Sequence, residues 1–427
     1  MKFIFNIINA HRLYIANLCS TFISQSINAI SILILTPILT KEMGLLNFGI
    51  YGVILNIVAF SAILDFGFNI GLLRRYIHLP NDSSKLVNSL LVFYITLLVV
   101  LAPIFYFIYT SLIHLETKHY FLLAVLTALL IFQNIVSVFF DTLIQSLNLL
   151  YVCKLIRAAK LIVESLIILI YINQISLIKV LFITVSVNIV YLLTLYYYVN
   201  KKLNFKINFR FFSFNEIADH FKYCFWYFLS SLATVLIFNT QIFVIHNLLG
   251  SIQAAKFLVI TKFYDIIRMA ISNFTQILFP KIIKIEVEKN WVKIKELFIK
   301  LLTRIAIMVV FIVLFIYWLG PYVFIKWSKI QDNQTLITFK LFAFLIGFII
   351  IDNVSVIFLN ALKLNKTPTI VSIIQGILGI ILSYIFVRQF NIVGVVYAAG
   401  ISFIITNMIF NPTYLLKKLN AKIIEPS

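Results

Sequence analysis

Residues 305–320 read Ile-Ala-Ile-Met-Val-Val-Phe-Ile-Val-Leu-Phe-Ile-Tyr-Trp-Leu-Gly, without a single charge. A bilayer core about 30 Å thick takes roughly 20 residues of helix, and inside it only helices and closed barrels satisfy their backbone groups. The stretch does not alternate as a barrel strand would, so it predicts a transmembrane helix. Working outward, similar stretches follow near 13–38, 49–72, 86–113, 120–147, 157–173, 176–199, 221–249, 255–279, 299–320, 335–361, 368–388 and 393–415. A chain of 427 residues that is 62% hydrophobic and 12% charged cannot be a soluble domain. The expected fold class is an all-α membrane protein of about 12 transmembrane helices.

The formal charge of +20 follows the topology. With the N-terminus inside, 25 of the 35 Lys and Arg fall on the cytoplasmic side and 7 on the other, while Lys262, Arg268 and Lys340 lie within spans. That asymmetry is the positive-inside signal and predicts that both termini are cytoplasmic. It leaves little reason to read the charge as nucleic-acid binding. Two cytoplasmic connections are long. Lys201 to Lys222 interleaves lysines and Arg210 with Phe205, Phe209, Phe211 and Phe212, as suits anionic headgroups. Lys281 to Lys300 places Ile283, Val287, Trp291, Ile294 and Phe298 at helical spacing and reads as an interfacial amphipathic helix. For both, a structural linker is the competing reading.

Cys19, Cys153 and Cys224 are isolated, so neither a disulfide framework nor a metal site is expected. Met1 to Arg12 leads into an uncleaved first helix. No phosphate-cradling glycine loop, zinc-binding His pair or nucleophile elbow is present, and no soluble stretch could hold a nucleotide-binding domain. No cofactor is expected.

The chain also repeats. Gly44, Gly49 and Tyr51 correspond to Gly250, Ala255 and Phe257 at an offset of 206 residues. Six spans precede the basic linker and six follow it. This predicts an N-terminal six-helix lobe over 1–200, a cytoplasmic linker over 201–220 and a second lobe with a cytoplasmic tail over 221–427. An even number of spans per copy predicts a pseudo-two-fold axis along the membrane normal.

The turn at Gly44 to Tyr51, the following Asp65-Phe66-Gly67-Phe68, and Leu249-Gly250 with Ala255-Lys256-Phe257 and Pro280 closing span 8 carry a family resemblance. They resemble the polysaccharide-transporter branch of the multidrug/oligosaccharidyl-lipid/polysaccharide (MOP) exporter superfamily, and within it bacterial O-antigen flippases of the Wzx type. The resemblance implies two six-helix lobes in the bacterial cytoplasmic membrane. They would move an undecaprenyl-pyrophosphate-linked oligosaccharide between leaflets for lipopolysaccharide or similar surface-polysaccharide biosynthesis. Its implied partners are membrane lipids, a polysaccharide polymerase and a chain-length regulator.

Such a substrate needs a polar, cationic path. In span 1, Asn17, Ser20, Thr21, Ser24, Asn28 and Ser31 share an arc, with Gln25 beside it; in span 7, Ser230, Ser231, Thr234 and Gln241 share a face. Helix packing by small polar residues is the alternative, although Gln25, Asn28 and Gln241 fit a hydrated lumen better. Span 8 carries Lys262, Asp265 and Arg268 at spacings of three, on the same side as Ser272, Thr275 and Gln276. Ionisable groups at mid-span cost roughly 2.5–3.5 kcal/mol each, so three together should face water or one another. Either Asp265 holds one cation while the other meets a pyrophosphate, or the trio is an internal salt bridge.

Asp65, Asp141, Asp265 and Asp352 are candidate ion-coupling carboxylates. Arg74 marks the cytoplasmic exit of span 2 or greets an incoming phosphate. His246 reads as a packing residue, and Lys160 with Glu164 as an i,i+4 pair. The leading expectation is a flippase and not an enzyme. A proton- or sodium-coupled multidrug or cation exporter is the alternative, and a polysaccharide polymerase or ligase a remoter one.

Overall fold

The computed structural model describes residues 2–78, 84–111, 119–147, 149–203, 212–276 and 278–424. Among them every regular element is helical. They form two compact units, Met1–Ser231 and Leu232–Ser427.

The first unit starts with α1 (Lys2–Ala59), which turns sharply at Gly44 (φ 73°, ψ 159°) and so supplies two passes. That backbone region is essentially closed to any residue with a Cβ. The second pass continues through α2 (Ser61–Leu64) and α3 (Phe68–His78). It is broken between them where Phe66 and Gly67 take positive φ. Then come α4 (Ser84–Ser111), α5 (Tyr120–Ser146), α6 (Leu150–Ile170) and α7 (Leu177–Leu203).

The second unit repeats the plan. Its first pass is the C-terminal end of α8 (Phe214–Phe238), from Leu232, with α9 (Gln241–Leu249). Gly250 (φ 85°, ψ 174°) then makes the same turn as Gly44, at the offset read from the sequence. α10 (Ser251–Gln276) and α11 (Leu278–Val287) follow, then α12 (Trp291–Ser328), α13 (Asn333–Ala361) and α14 (Lys366–Phe390). The last pass joins α15 (Val393–Phe403) to α16 (Ile409–Ile424) through a π-helical turn at Ile404–Met408.

Nine stretches among the described residues are long and apolar enough to cross a membrane. One of these, Ile15–Leu64, is folded in two by Gly44. With the more highly charged α6 and α10, six passes fall to each unit. Packing repeats as well. In the first unit α4 packs on α5, α1 on α6, and α5 on α3 and α7, while α6 packs on α7. In the second, α12 packs on α13, α9 on α14, and α13 on α10 and α15, while α14 packs on α15. This shared pairing is stronger evidence of duplication than the few matching residues.

Two expectations change in detail. Pro280 does not close span 8; it sits in the first turn of α11, where its missing N–H costs nothing. The segment from Lys281 to Lys300 is not a free interfacial helix. Ile282, Ile285, Ile294 and Phe298 are buried against Phe358, Leu362, Leu415 and Leu419, while Ile283 and Trp291 pack around them. Of the apolar face only Val287 stands exposed. Trp291 further carries Lys422 Nζ at 3.9 Å from its ring centre, so the lysines rim a protein core. The first linker's Phe205, Phe209, Phe211 and Lys206 lie outside the described residues.

The unit boundary falls inside α8. Its first half is held on α3 by Gly67 and Gly71, a G-x-x-x-G spacing that lets helices approach closely. A Cβ on Gly71 would sit 2.1 Å from Cys224 Sγ, and one on Gly67 2.8 Å from the Phe228 nitrogen. Phe66, Phe68, Phe93, Phe221 and Phe228 close around this contact. In the second half, a Cβ on Gly376 of α14 would sit 2.5 Å from Leu236 Cβ.

At the start of α13, Asp332 accepts from the Thr335 N–H at 2.9 Å and pairs with Lys256 Nζ at 2.8 Å. Burial pushes its carboxyl up, but the hydrogen bonds from Lys256 and Thr335 outweigh this and hold it below the ordinary carboxylate range.

Candidate functional site

The turn at Gly250 launches α10, and the three-residue spacing sets Lys262, Asp265 and Arg268 along one side of it. Arg268 Nη2 lies 2.9 Å from Asp265 Oδ1. The guanidinium also stacks over the Phe238 ring, 5.3 Å from its centre. It keeps 43% of its side chain exposed, whereas Asp265 keeps 26%. Lys262 is half-buried and forms no ion pair among the described residues. Among the described residues the trio is therefore one neutralised pair beside one unpaired ammonium. That leaves a net positive charge on a membrane helix, with donors able to meet an anion. The side chains of Ser272, Thr275 and Gln276 lie outside the described residues.

The polar stripe of α1 divides. Asn17 Oδ1 accepts from the Tyr151 N–H at 2.9 Å and so satisfies a donor at the start of α6. Ser31 bonds Ser165 at 3.1 Å, again on α6. Both contacts span 134 residues, so α1 and α6 run parallel and in register. Ser20 and Ser24 are buried between these contacts. This part of the stripe packs helices together, as the alternative held. Gln25 differs: its Oε1 is buried without a hydrogen-bond partner. Asn28 is half-buried and engaged, and Gln241 is half-buried at the first position of α9. Arg74 belongs to α3, but its side chain lies outside the described residues.

The carboxylates have distinct surroundings. Asp65 sits at the break before α3. Its Oδ1 accepts from Tyr94 Oη and Asn69 Nδ2, both at 2.7 Å, and its Oδ2 from the Asn69 N–H at 3.3 Å. Those bonds stitch the break to α4. Asp141, on α5, pairs with Arg157 of α6, with Tyr191 Oη of α7 3.4 Å away. Asp352, on α13, is buried and, among the described residues, accepts only from Asn411 Nδ2 of α16, at 2.9 and 3.2 Å. Lys160 pairs with Glu164 at 3.1 Å, and Thr184 Oγ1 donates to the same carboxylate at 2.8 Å. His246 is buried, with Ser251 Oγ 3.4 Å from Nδ1.

Sequence reasoning counted Arg157 only as a topological charge and passed over Tyr191, Asn411 and the Gly67/Gly71 pair. The signal that could have found Arg157 is its place on the apolar helix itself, on the same side as Lys160 and Glu164. Among the described residues, no three His, Cys, Asp or Glu side chains gather into a metal-binding group.

Comparison with known proteins places this geometry. The family described as polysaccharide biosynthesis protein matches residues 14–286. The chain belongs to that family. The family lies in the MOP exporter superfamily. No curated protein matches the chain by sequence. A multidrug resistance MATE family transporter of the MOP superfamily, in an inward-facing conformation, aligns with a TM-score of 0.68 at 14% identity over 96% of each chain. A MATE protein in complex with MaL6 aligns at 0.65 and 14%, over 96% of this chain and 97% of that one. A MOP superfamily transporter from Pyrococcus furiosus Vc1, described by the reverse polarity of its binding pocket, aligns at 0.67 and 14% over 96% of each. At that identity these likenesses show the fold. This polysaccharide biosynthesis protein is thus a multi-pass membrane protein with the MOP transporter architecture.

Proposed function

We propose that this chain is a flippase that moves an undecaprenyl-pyrophosphate-linked oligosaccharide across a bacterial cytoplasmic membrane by alternating access, serving O-antigen or a similar surface polysaccharide. The observation that carries the reading is Arg268 held at Asp265 while Lys262 stays unpaired on the same membrane helix. A fixed bidentate donor and a mobile point charge together suit a pyrophosphate, and they disfavour a cationic drug. Family membership supports a polysaccharide-linked cargo. Both termini and the long basic connections belong on the cytoplasmic side by the Lys and Arg asymmetry. A polymerase and a chain-length regulator would act on the product.

A second reading, proton- or sodium-coupled export, is favoured by one observation: Asp352 is a buried carboxylate whose partner is an amide and not a cation. The two readings separate in a strain lacking its own flippase. The double variant Lys262→Ala, Arg268→Ala should insert at normal abundance yet give little surface polysaccharide. Lys262→Arg should retain more output than Lys262→Ala. Normal output from the well-inserted double variant would overturn the phosphate role.

A further inference from the structure

The first unit carries a second cationic cluster that the flippase reading does not use. Arg157 Nη2 holds Asp141 Oδ2, yet the two side chains differ in access: Asp141 is 3% exposed and Arg157 42%. Tyr191 Oη also approaches Asp141, and Cys153 Sγ donates to the Asp141 carbonyl at 3.6 Å. The carboxylate is thus enclosed, while the guanidinium, which Tyr191 also meets, keeps an exposed part. One turn earlier, half-buried Lys154 forms no ion pair among the described residues. Lys154, Arg157 and Asp141 together repeat the composition of the second-unit trio, two cations and one carboxylate.

The direction in which Arg157 is exposed matters. Exposed Leu155, Ile162, Val163, Leu166 and Ile170 mark the lipid side of α6. At 3.6 residues per turn they lie roughly 140–240° around the helix from Arg157. Arg157 therefore leaves α6 on the side opposite the lipid-facing residues, as suits an ionised group inside a membrane. Arg157 stands seven residues past Leu150, the start of α6, which places it roughly 10 Å along the helix axis. Farther along the same side, Lys160 and Glu164 neutralise each other and Thr184 takes up the remaining carboxylate oxygen. Positive potential is concentrated at the first turns of α6, on the side the charge asymmetry assigns to the cytoplasm.

We propose that Lys154 and Arg157 form a second phosphate-binding site, in the first unit, for a phosphate borne by a lipid. Asp141 is its positioning residue: with Tyr191 it holds the guanidinium in place and leaves the exposed part of that group for the ligand. Two sources offer that chemistry, the pyrophosphate of a polyprenyl carrier and the headgroup of an anionic phospholipid. Only the first rests on the flippase reading.

The test uses the full-length protein in detergent micelles, in a Lys262→Ala, Arg268→Ala background that removes the other cluster. Binding of undecaprenyl pyrophosphate, phosphatidylglycerol and phosphatidylcholine is measured by native mass spectrometry. Lys154→Gln leaves the Arg157–Asp141 pair intact, and Asp141→Asn with Arg157→Gln removes charge without stranding a partner. Each should weaken binding of an anionic probe about tenfold, as expected for one charge-assisted hydrogen bond, and leave phosphatidylcholine unchanged. A loss confined to the pyrophosphate assigns the site to the carrier, and one confined to phosphatidylglycerol assigns it to the bilayer. Unchanged affinity of Lys154→Gln for both anionic probes overturns the proposal, whatever its melting temperature. Polysaccharide output of the Lys262→Ala, Arg268→Ala parent is a separate readout, so failure of the flippase reading is seen independently.

Discussion

Asp141 and Asp352 each lie on the fourth pass of their unit, and each is reached from the sixth, by Tyr191 and by Asn411 respectively. Only Asp141 also meets a cation, Arg157 from the fifth pass. The corresponding pass of the second unit is α14, whose buried polar residues include Gln375 and Ser383. Each has a side-chain oxygen with no hydrogen-bond partner. Duplication has kept the position of the carboxylate and changed what neutralises it. In the first unit the charge is locked into a pair. In the second, the buried carboxylate's partner among the described residues is an amide, a setting in which a proton or a small cation can come and go without breaking an ion pair.

The largest expected effect breaks that pair. Asp141→Ala leaves the Arg157 guanidinium without its carboxylate and should cost about 3 kcal/mol, the low end for a broken buried pair because the guanidinium is 42% exposed, seen as loss of protein from the membrane and a lower melting temperature in detergent. The neutral double variant Asp141→Asn, Arg157→Gln should recover most of it. Asp352→Asn keeps a hydrogen-bonding group opposite Asn411 and should cost about 1 kcal/mol or less, while removing any dependence of transport on a proton or sodium gradient. If Asp352→Asn depletes the protein as severely as Asp141→Ala does, the contrast between the units is lost.

Next come the two glycines that hold α8. Gly71→Ala would drive a methyl into Cys224 Sγ, and Gly376→Ala would drive one into Leu236 Cβ. Overpacking of this kind costs about 1–3 kcal/mol. Adding Cys224→Ala to Gly71→Ala should restore much of the melting temperature. Absence of any rescue would show that the closeness of α3 and α8 is not what the glycine provides.

The most symmetrical effect concerns Gly44 and Gly250. A Cβ at either meets nothing within 4 Å, so only the backbone conformation resists Ala. Each substitution should lower stability by about 1–3 kcal/mol and by similar amounts, read as matching shifts in melting temperature. Markedly unequal shifts would mean that the two turns, though alike in shape, are not alike in strain.

By itself, the sequence determined the class of the molecule, its number of passes and its duplication. Those properties rest on local quantities: the length of apolar runs, the placement of Lys and Arg, and glycine at Gly44 and Gly250, which need no partner to be legible. Lys160 with Glu164, and Lys262, Asp265 and Arg268, could be read as clusters because helical periodicity alone brings them together. Tertiary packing decided the rest. It turned Asn17 and Ser31 into packing contacts on α6, because only a neighbouring helix in register could take their hydrogen bonds. Pairing Asp141 with Arg157 and Asp352 with Asn411 joined residues on different passes, which no periodicity relates. The face of Lys281 to Lys300 likewise found a protein core instead of a lipid surface. An amphipathic pattern specifies that one side must be covered, and only the fold supplies what covers it.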